Sequence, residues 1–223
     1  VTSNNAPIAN AGGPYTVNQG VALTMNGSSS ADPGGSIVLL EWDCTDDGVY
    51  DTSSTSATGA SCTYPDNGSQ TLRLRVTDNA GGTATDTAPV TVTNTAPTAN
   101  AGGPYSVQLF GSLTLTGAAS SDADGSIVLY EWDCTANGSY DVSSSSATGS
   151  TCTYVTPGNK TVRLRVTDDD GATNTATATV TVLNAAPTAD AGGPYSGFQG
   201  IAIGLDGSSS NDVDGTIATY AWD

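Results

Sequence analysis

The chain has 223 residues, a formal net charge of −17 and only five Lys and Arg residues. A protein with so few basic side chains cannot neutralise a phosphate backbone, which argues against nucleic acid binding. No apolar run approaches the ~18 residues that a membrane-spanning helix requires, so we expect no membrane insertion in this segment. The acidic residues are almost all aspartates, which favour turns and oxygen-rich cation sites over helices.

The sequence repeats itself with a period of 90 residues. The motif Ala-Gly-Gly-Pro-Tyr occupies residues 11–15, 101–105 and 191–195, with no insertion between the copies. A fixed period of this kind indicates a tandem array of similar structural units. We therefore predict three units, which comprise residues 1–93, residues 94–183 and, as the first half of a third unit, residues 184–223.

Each unit consists of short strand-like segments separated by turns rich in glycine, asparagine and aspartate. In the first unit the predicted strands are Val21–Met25, Ile37–Cys44, Ser61–Tyr64, Thr71–Val76 and Thr83–Val92. The Gly and Asx residues between them supply left-handed or tight-turn conformations. About seven short strands in ~90 residues predict an all-β fold, namely tandem immunoglobulin-like antiparallel β-sandwiches with almost no helix.

The segment Ile37–Cys44 contains the one tryptophan of its unit and recurs at residues 127–134 and 217–223. Its β-branched and aromatic residues predict a buried strand in each unit. Since side chains alternate across a strand, one face should enter the core and the other should face outward. In the first unit these faces consist of Val38, Leu40, Trp42 and Cys44 inside, and of Leu39, Glu41 and Asp43 outside.

The four cysteines form two pairs with the same spacing, Cys44 with Cys62 and Cys134 with Cys152. This spacing fits no common zinc motif, and the chain has no histidine to complete one. We predict one disulfide in each complete unit, with free thiols as the alternative. Disulfides form in oxidising compartments, so an extracellular setting follows. No signal peptide is present at Val1, so we expect a mature or trimmed end there.

The loop after the tryptophan strand carries oxygen-bearing side chains at alternate positions around a glycine turn, at Asp43, Thr45, Asp47 and Asp51. The ligands of a cation-binding loop must point into one hollow, so this spacing predicts a calcium site. The second unit repeats the pattern with Asp133, Thr135, Asn137 and Asp141. The alternative is an Asp/Asn-rich turn whose side chains bond their own backbone, and the sequence favours neither.

Together these motifs resemble the PKD (polycystic kidney disease) domain family. The pattern Asn-x-Ala-Pro-x-Ala-x-Ala-Gly-Gly-Pro-Tyr and the pair Trp-Asp occur in all three units, and Leu-Arg-Val-Thr-Asp occurs in the first two. The resemblance implies an immunoglobulin-like sandwich that serves as a non-catalytic spacer or interaction module in secreted and surface proteins. The sequence departs from the family pattern where Cys44 replaces the usual phenylalanine after Trp-Asp.

Some PKD-like domains are associated with calcium near the linker between units, so the resemblance adds a second set of candidate ligands. These are Asp122 and Asp124 in the second unit, and Asp212 and Asp214 in the third. The first unit has Asp32-Pro33-Gly34-Gly35 at this place and lacks one carboxylate, so calcium should bind there weakly or not at all. The later run of residues 168–171, Asp-Asp-Asp-Gly, is instead predicted to be a hairpin turn.

The leading functional hypothesis is a non-catalytic structural array that forms a semi-rigid stalk or filament of a secreted or cell-surface protein. Its short Asn-x-Ala-Pro linkers support this, because proline restricts the chain. The alternative is an accessory adhesion module of a larger secreted hydrolase, which would bind polysaccharide or protein through exposed aromatic rings such as Tyr50 and Tyr140. Expected partners are neighbouring repeats, other copies of the chain, or a cell-surface or polysaccharide ligand. With no histidine and no thiol expected to be free, we predict no enzymatic activity.

The third unit, from Pro187 to Asp223, contains predicted strands only over Ile201–Leu205 and around Trp222. The counterparts of the later strands of the second unit are missing, so Trp222 and Tyr220 should expose an apolar face and unpaired strand edges. Two expectations follow. Either the polypeptide continues past Asp223, which we favour, or strands of another copy complete the unit and the array polymerises.

Overall fold

The structure, a computed structural model, describes residues 4–223 and contains seven strands in each of the first two repeats. The strands of the first repeat are β1 (Tyr15–Asn18), β2 (Ala22–Asn26), β3 (Ile37–Asp43), β4 (Thr52–Ser54), β5 (Thr58–Thr63), β6 (Gly68–Asp78) and β7 (Thr83–Thr93). Those of the second are β8 (Tyr105–Gln108), β9 (Ser112–Thr116), β10 (Ile127–Asp133), β11 (Val142–Ser144), β12 (Thr148–Thr153), β13 (Gly158–Asp168) and β14 (Thr173–Leu183). In residues 4–223 no helix is long and apolar enough to cross a membrane.

The described chain divides into two units by its contacts. The first unit contains the residues up to Ala96 together with the short segments Asp122–Ser126 and Asp169–Ala172. The second contains Pro97–Ser121, Ile127–Asp168 and Thr173–Asp223. The first unit therefore holds the whole core of the first repeat, and the second unit holds the core of the second.

Each complete repeat is a two-layered sandwich. In the first repeat a five-stranded sheet in the order β1-β7-β6-β3-β4 faces a two-stranded sheet of β2 and β5. All pairings are antiparallel except that of β1 with β7, which is parallel. The second repeat has the same arrangement, with the order β8-β14-β13-β10-β11 and a second sheet of β9 and β12. This topology confirms the prediction of tandem immunoglobulin-like sandwiches.

The core of each repeat lies between its two sheets and follows from strand alternation. Trp42 and Trp132 are at most 1% exposed, and every second residue of β6 from Leu72 to Val76 is buried. Residues of the small sheet, such as Met25 of β2, close the core from the other side. Burial of large aliphatic and aromatic side chains contributes about 1.5–3 kcal/mol each, so these alternating positions hold the layers together.

The predicted disulfides are confirmed and join the two sheets of each repeat. Cys44, immediately after β3, is bonded to Cys62 of β5, with a Cα–Cα distance of 5.8 Å. Cys134 is bonded to Cys152 in the same way, at 5.7 Å. Among the described residues no cysteine is free, which removes the alternative of free thiols.

The tryptophan strand departs from simple alternation at both of its ends. Val38 was expected in the core but is 45% exposed, because the pairing of β3 with β6 shifts register between Ile37 and Leu39. Asp43 was expected on the outer face but is buried, because its carboxylate turns into the following loop and accepts backbone N–H groups there. Asp133 of the second repeat is buried in the same way.

The Ala-Gly-Gly-Pro-Tyr motif fixes the start of each sandwich. The hydroxyl of Tyr15 donates to the carbonyl of Ala11 at 2.8 Å and accepts from the backbone N–H of Asn26 at 3.1 Å, so it ties the entering chain to β2. Gly12 has a positive φ of 70°, and a Cβ there would lie 2.7 Å from the carbonyl oxygen of Asn26. Only glycine fits at this position.

Residues 184–223 contain no strand in the described structure, so the strands expected over Ile201–Leu205 and around Trp222 are not formed. The printed sequence ends before the segments that pair with these strands in the other repeats, and unpaired strands have no hydrogen-bonded ladder. Trp222 and Tyr220 are accordingly exposed. Local structure persists, since the isolated bridge between Thr188 and Asn211 matches that between Thr98 and Ser121.

Candidate functional site

The loop that follows the tryptophan strand is organised by two carboxylates. Asp43 accepts hydrogen bonds from the backbone N–H groups of Thr45, Asp47 and Gly48, at 3.2, 3.2 and 2.8 Å. Asp51 accepts one from the N–H of Cys44 at 2.7 Å, beside the disulfide. The side chains of these aspartates therefore hold the loop's own backbone.

The second repeat builds the same loop around Asp133. Its carboxylate accepts the N–H groups of Thr135, Asn137 and Gly138 at 3.2, 3.1 and 2.7 Å, and Asp141 accepts that of Cys134 at 2.7 Å. Burial alone would raise the pKa of Asp133, but the backbone N–H groups of Gly138, Asn137 and their neighbours outweigh it and lower the pKa below its ordinary value. The loop thus stabilises a buried negative charge with N–H dipoles.

The predicted ligands of this loop do not all point into one hollow. Asp47 Oδ1 accepts the N–H of Val49 at 2.8 Å, as Asn137 Oδ1 does for Ser139. Within residues 4–223, three or more acidic, thiol or imidazole groups nowhere come close enough together to form a metal site. The calcium site at Asp43, Thr45, Asp47 and Asp51, with its second-repeat copy, stays a prediction.

A second group of carboxylates holds the linker at the start of each repeat. Asp124 Oδ2 accepts the N–H of Thr95 at 2.8 Å, and Asp214 Oδ2 accepts that of Ala185 at 2.7 Å. The equivalent first-repeat residue is Gly34, whose added Cβ would lie 3.4 Å from the nitrogen of Asn5. The carboxylate that the first repeat lacks is therefore the one that bonds the linker in the second and third repeats.

These linker carboxylates retain oxygen atoms without a hydrogen bond. Asp124 Oδ1 and Asp214 Oδ1 are buried and have no hydrogen-bond partner. In the second repeat, carboxylate oxygens of Asp122 and Asp169 both lie near Gly125. In the third repeat, Asp212 accepts the N–H of Asp214 at 3.3 Å. Such an oxygen can act as a ligand for a hard cation.

The first repeat anchors its linker through a different aspartate. Asn4 Nδ2 donates to Asp78 Oδ2 at 2.8 Å, and Asp78 Oδ1 accepts the N–H groups of Ala80 and Gly82 at 2.8 Å. The hydrogen bond from Asn4 is the main cause that lowers the pKa of this buried carboxyl. Asp78 begins the turn between β6 and β7, which corresponds to the Asp-Asp-Asp-Gly turn predicted after β13.

Each complete repeat also carries a Glu–Arg–Tyr cluster on its outer sheet face. Arg75 donates to Glu41 through Nε at 2.7 Å and Nη2 at 2.8 Å, and its guanidinium lies 4.1 Å from the ring centre of Tyr50. This hydrogen bond lowers the pKa of Glu41. The second repeat reproduces the cluster with Glu131, Arg165 and Tyr140, so each tyrosine covers an arginine.

The sequence interpretation missed this cluster, although it named Glu41, Tyr50 and Tyr140. The signal was present in the strand register, because Glu41 lies directly opposite Arg75 in the antiparallel pair of β3 and β6. Opposite charges at such a cross-strand pair stabilise a sheet by roughly 0.2–1 kcal/mol. Arg73 forms a further ion pair with Asp46, whose second-repeat counterpart is Ala136.

Comparison with known families decides what these two sandwiches are. A family model described as "PKD domain" matches residues 4–92 and again residues 94–182. The chain belongs to the PKD domain family. The matches end near the final strands β7 and β14, so each covers one complete sandwich.

Two curated relatives match almost the whole chain. The human protein named "Dyslexia-associated protein KIAA0319" is 34% identical over 240 residues, which cover 98% of this chain and 22% of the relative. Its mouse homolog is 35% identical over 231 residues, which cover 97% of this chain and 21% of the relative. The chain thus spans about a fifth of the length of these relatives, and neither name denotes an enzyme.

A solved structure of the PKD1 domain of Vibrio anguillarum Epp is also similar. It is 38% identical, covers 40% of this chain and 96% of its own, and has a TM-score of 0.30. The matched share of this chain is about that of one repeat.

Proposed function

We propose that this chain is a non-catalytic structural array of the extracellular space, which spaces other parts of a secreted or cell-surface protein as a semi-rigid stalk or filament. The observation that carries the proposal is the repetition of one complete sandwich with its own core and its own inter-sheet disulfide. Disulfides persist in oxidising surroundings, which supports an extracellular location.

The linkers support a restricted rather than a flexible array. Each begins with Asn-x-Ala-Pro, where proline fixes φ and the preceding residue favours an extended conformation. A carboxylate of the following repeat also holds the second and third linkers. Thr95 donates its N–H to Asp124, and Ala185 donates its N–H to Asp214. Such a linker has few rotatable bonds left free.

Small-angle X-ray scattering tests this proposal. Replacement of Pro97 by glycine should shorten the mean maximum dimension of the chain and broaden its distribution, because a glycine linker behaves as a flexible coil. Pro7→Gly, which alters the same motif ahead of the first repeat, is the matched control and should leave the spacing unchanged. Identical scattering curves for Pro97→Gly and the native chain would show that the linker imposes no restriction.

The alternative function is an adhesion module that binds polysaccharide, protein or another copy of the chain. It requires exposed aromatic rings in a row, and Tyr50 and Tyr140 were its candidates. Both are half-buried and lie against arginines, which supports the structural function over the binding function. A glycan array probed with the native chain would reverse this preference if it gave specific, saturable binding.

We also propose that calcium binds preferentially at the linker carboxylates rather than at the loops around Asp43 and Asp133. The buried oxygens Asp124 Oδ1 and Asp214 Oδ1 lack hydrogen-bond partners, whereas each oxygen of Asp43 and Asp133 accepts backbone N–H groups. Bound calcium would neutralise carboxylates that repel one another and would hold the linker more firmly.

A further inference from the structure

The tip of the turn between β8 and β9 carries an unexpected residue. Phe110 has a positive φ of 60° and is 57% exposed, whereas the equivalent residues of the other repeats are Gly20 and Gly200, with φ of 68° and 80°. A left-handed backbone costs free energy for a bulky residue and an exposed ring gains little by burial. The stability of the second repeat therefore gives no reason for a phenylalanine here.

Other residues at this end of the second repeat differ in the same direction. Leu109 and Leu183 replace the Gln19 and Thr93 of the first repeat, and Leu183 is 41% exposed at the end of β14. The loop of the following repeat changes too, since Val213, 76% exposed, stands where the second repeat has Ala123. Polar or small residues thus become apolar on both sides of one junction.

Matching hydrogen bonds show that the two junctions are built in the same way. In the first compact unit, Gln19 N–H donates to the carbonyl of Thr93 at 3.0 Å, and Thr95 N–H donates to Asp124 at 2.8 Å. There the loops Asn18–Val21 and Ala123–Gly125 line one pocket.

The second compact unit contains the same two bonds, from Leu109 to the carbonyl of Leu183 at 2.8 Å and from Ala185 to Asp214 at 2.7 Å. Because the bonded positions are equivalent, the tip that carries Phe110 is placed opposite the loop that carries Val213.

We propose that Phe110 and Leu183 form an apolar surface that receives the Val213–Gly215 loop of the next repeat. This contact would fix the junction between the second and third repeats, while the junction after the first repeat relies on polar groups. The proposal deepens the spacer function proposed above and rests on it for its purpose. Its failure would leave the linker restriction untouched, since scattering of Pro97→Gly reports on the other junction.

Hydrogen–deuterium exchange of the full chain tests the contact through the amide of Ala185, whose bond to Asp214 lies at the junction. Phe110→Gly should speed exchange at this amide about tenfold, which corresponds to about 1.4 kcal/mol, because the loop that carries Asp214 loses its apolar partner. Amides of β13 and β14 should not change, because glycine adopts a positive φ at no steric cost. Unchanged exchange at Ala185 would overturn the proposal.

The reciprocal variant separates this contact from a general loosening. Val213→Ala installs the residue of the equivalent loop, lies outside the second repeat, and should speed exchange at Ala185 by a similar factor. In the Phe110→Gly background it should add almost nothing, because the two residues share one interaction. Independent, additive effects would overturn the proposal. If Phe110→Gly also loosens β13 and β14, the result with Val213→Ala alone decides.

As a matched control, Ala123→Val places the third repeat's valine in the second repeat, where the residue at the equivalent tip is Gly20. Without a phenylalanine opposite, exchange at the amide of Thr95 should stay within twofold of the native rate, that is, within about 0.4 kcal/mol. If Ala123→Val slowed exchange at Thr95 by the same factor by which Phe110→Gly speeds exchange at Ala185, valine would act without the aromatic partner. That result would contradict the pairing.

Discussion

Asp133 shows how one buried carboxylate can organise a loop without a metal ion. Its two oxygens accept three backbone N–H groups between Thr135 and Gly138, so the charge is offset by dipoles that the loop itself supplies. A hydrogen bond to a charged group contributes roughly 1.5–3 kcal/mol. The loop and the carboxylate therefore depend on each other.

Asp133→Asn should destabilise the second repeat at neutral pH by about 1–3 kcal/mol, because an amide has one acceptor oxygen and presents donors to the remaining N–H groups. The pKa of Asp133 is lowered in the folded state, so its contribution is present above the ordinary Asp pKa of about 3.9 and is lost as the pH falls through the folded value. The free energy of unfolding of the native protein should therefore decrease as the pH drops below about 4. In the variant it should depend less on pH in this acidic range.

Urea unfolding between pH 7 and pH 3 measures both effects. Asp66→Asn is a suitable control, because Asp66 is exposed in the turn between β5 and β6. An Asp133→Asn protein with native stability at pH 7 would show that the loop does not need the charge.

Tyr105 links two parts of the second repeat through one hydroxyl group. It donates to the carbonyl of Ala101 at 2.7 Å and accepts the N–H of Thr116 at 3.2 Å. Tyr195 makes the same bonds, to Ala191 and from Asp206, although residues 184–223 contain no strand. The hydrogen bonds of this motif therefore do not require a completed sheet.

Tyr105→Phe should lower the free energy of unfolding of the second repeat by about 1–2 kcal/mol, because the carbonyl and N–H groups that it serves lose their partner. The same change at Tyr195 should leave that unfolding transition unaltered, since Tyr195 belongs to no completed core. Thermal melting of both variants compares them directly, and equal losses in the two would mean that the hydroxyl contributes only to local turn structure.

At the scale of elements, the linker loop of the second repeat and the tryptophan loop compete as calcium sites. If calcium binds at the linker, Tm should be higher in millimolar calcium than in EDTA. At a calcium concentration of 100 times Kd, the free energy of unfolding should rise by about 2.7 kcal/mol. Asp124→Asn should remove the larger part of this rise, whereas Asp47→Asn should preserve it. Coincident melting curves in calcium and EDTA would make both loops ordinary turns.

The sequence predicted the elements that depend on local pattern and missed those that depend on distant partners. Turn chemistry, the alternation in β6 and the cysteine spacing were enough for the sandwich and its disulfides. The exposure of Val38 could not be predicted, because the register shift is a property of β3 and β6 together. The strands β1 and β4 were also missed, since segments of four and three residues carry too short an alternation.

The candidate site shows the same division. The spacing of oxygen-bearing residues around Asp43 identified an ordered loop but not how it is stabilised. Hydrogen bonds to backbone N–H groups cannot be recognised from the spacing of side chains in the sequence. Phe110 was detectable in principle, because the equivalent positions of the first and third repeats, 20 and 200, are both glycine. Its exposure and positive φ became visible only with the fold.

At the scale of the whole molecule, the chain contains two complete sandwiches, and a disulfide crosses each of them. Cys44 follows β3 of the large sheet and Cys62 lies in β5 of the small one, so the bond joins the two layers covalently. The chain-entropy model assigns about 3 kcal/mol to a loop of this size. In the proposed spacer function such a bond would limit how far a repeat can extend.

Single-molecule pulling on the native chain should therefore show two unfolding events of similar length, one for each complete repeat. While the disulfide is intact, the 18 residue steps between Cys44 and Cys62 cannot extend, so each event should be shorter by about 55 Å than after reduction, at ~3.4 Å per step less the 5.8 Å Cα separation. Replacing Cys134 and Cys152 by serine should lengthen one event by this amount and leave the other unchanged. If the double variant lengthens neither event, the disulfides do not bear load, and a mechanical role for the array would lose its main structural support.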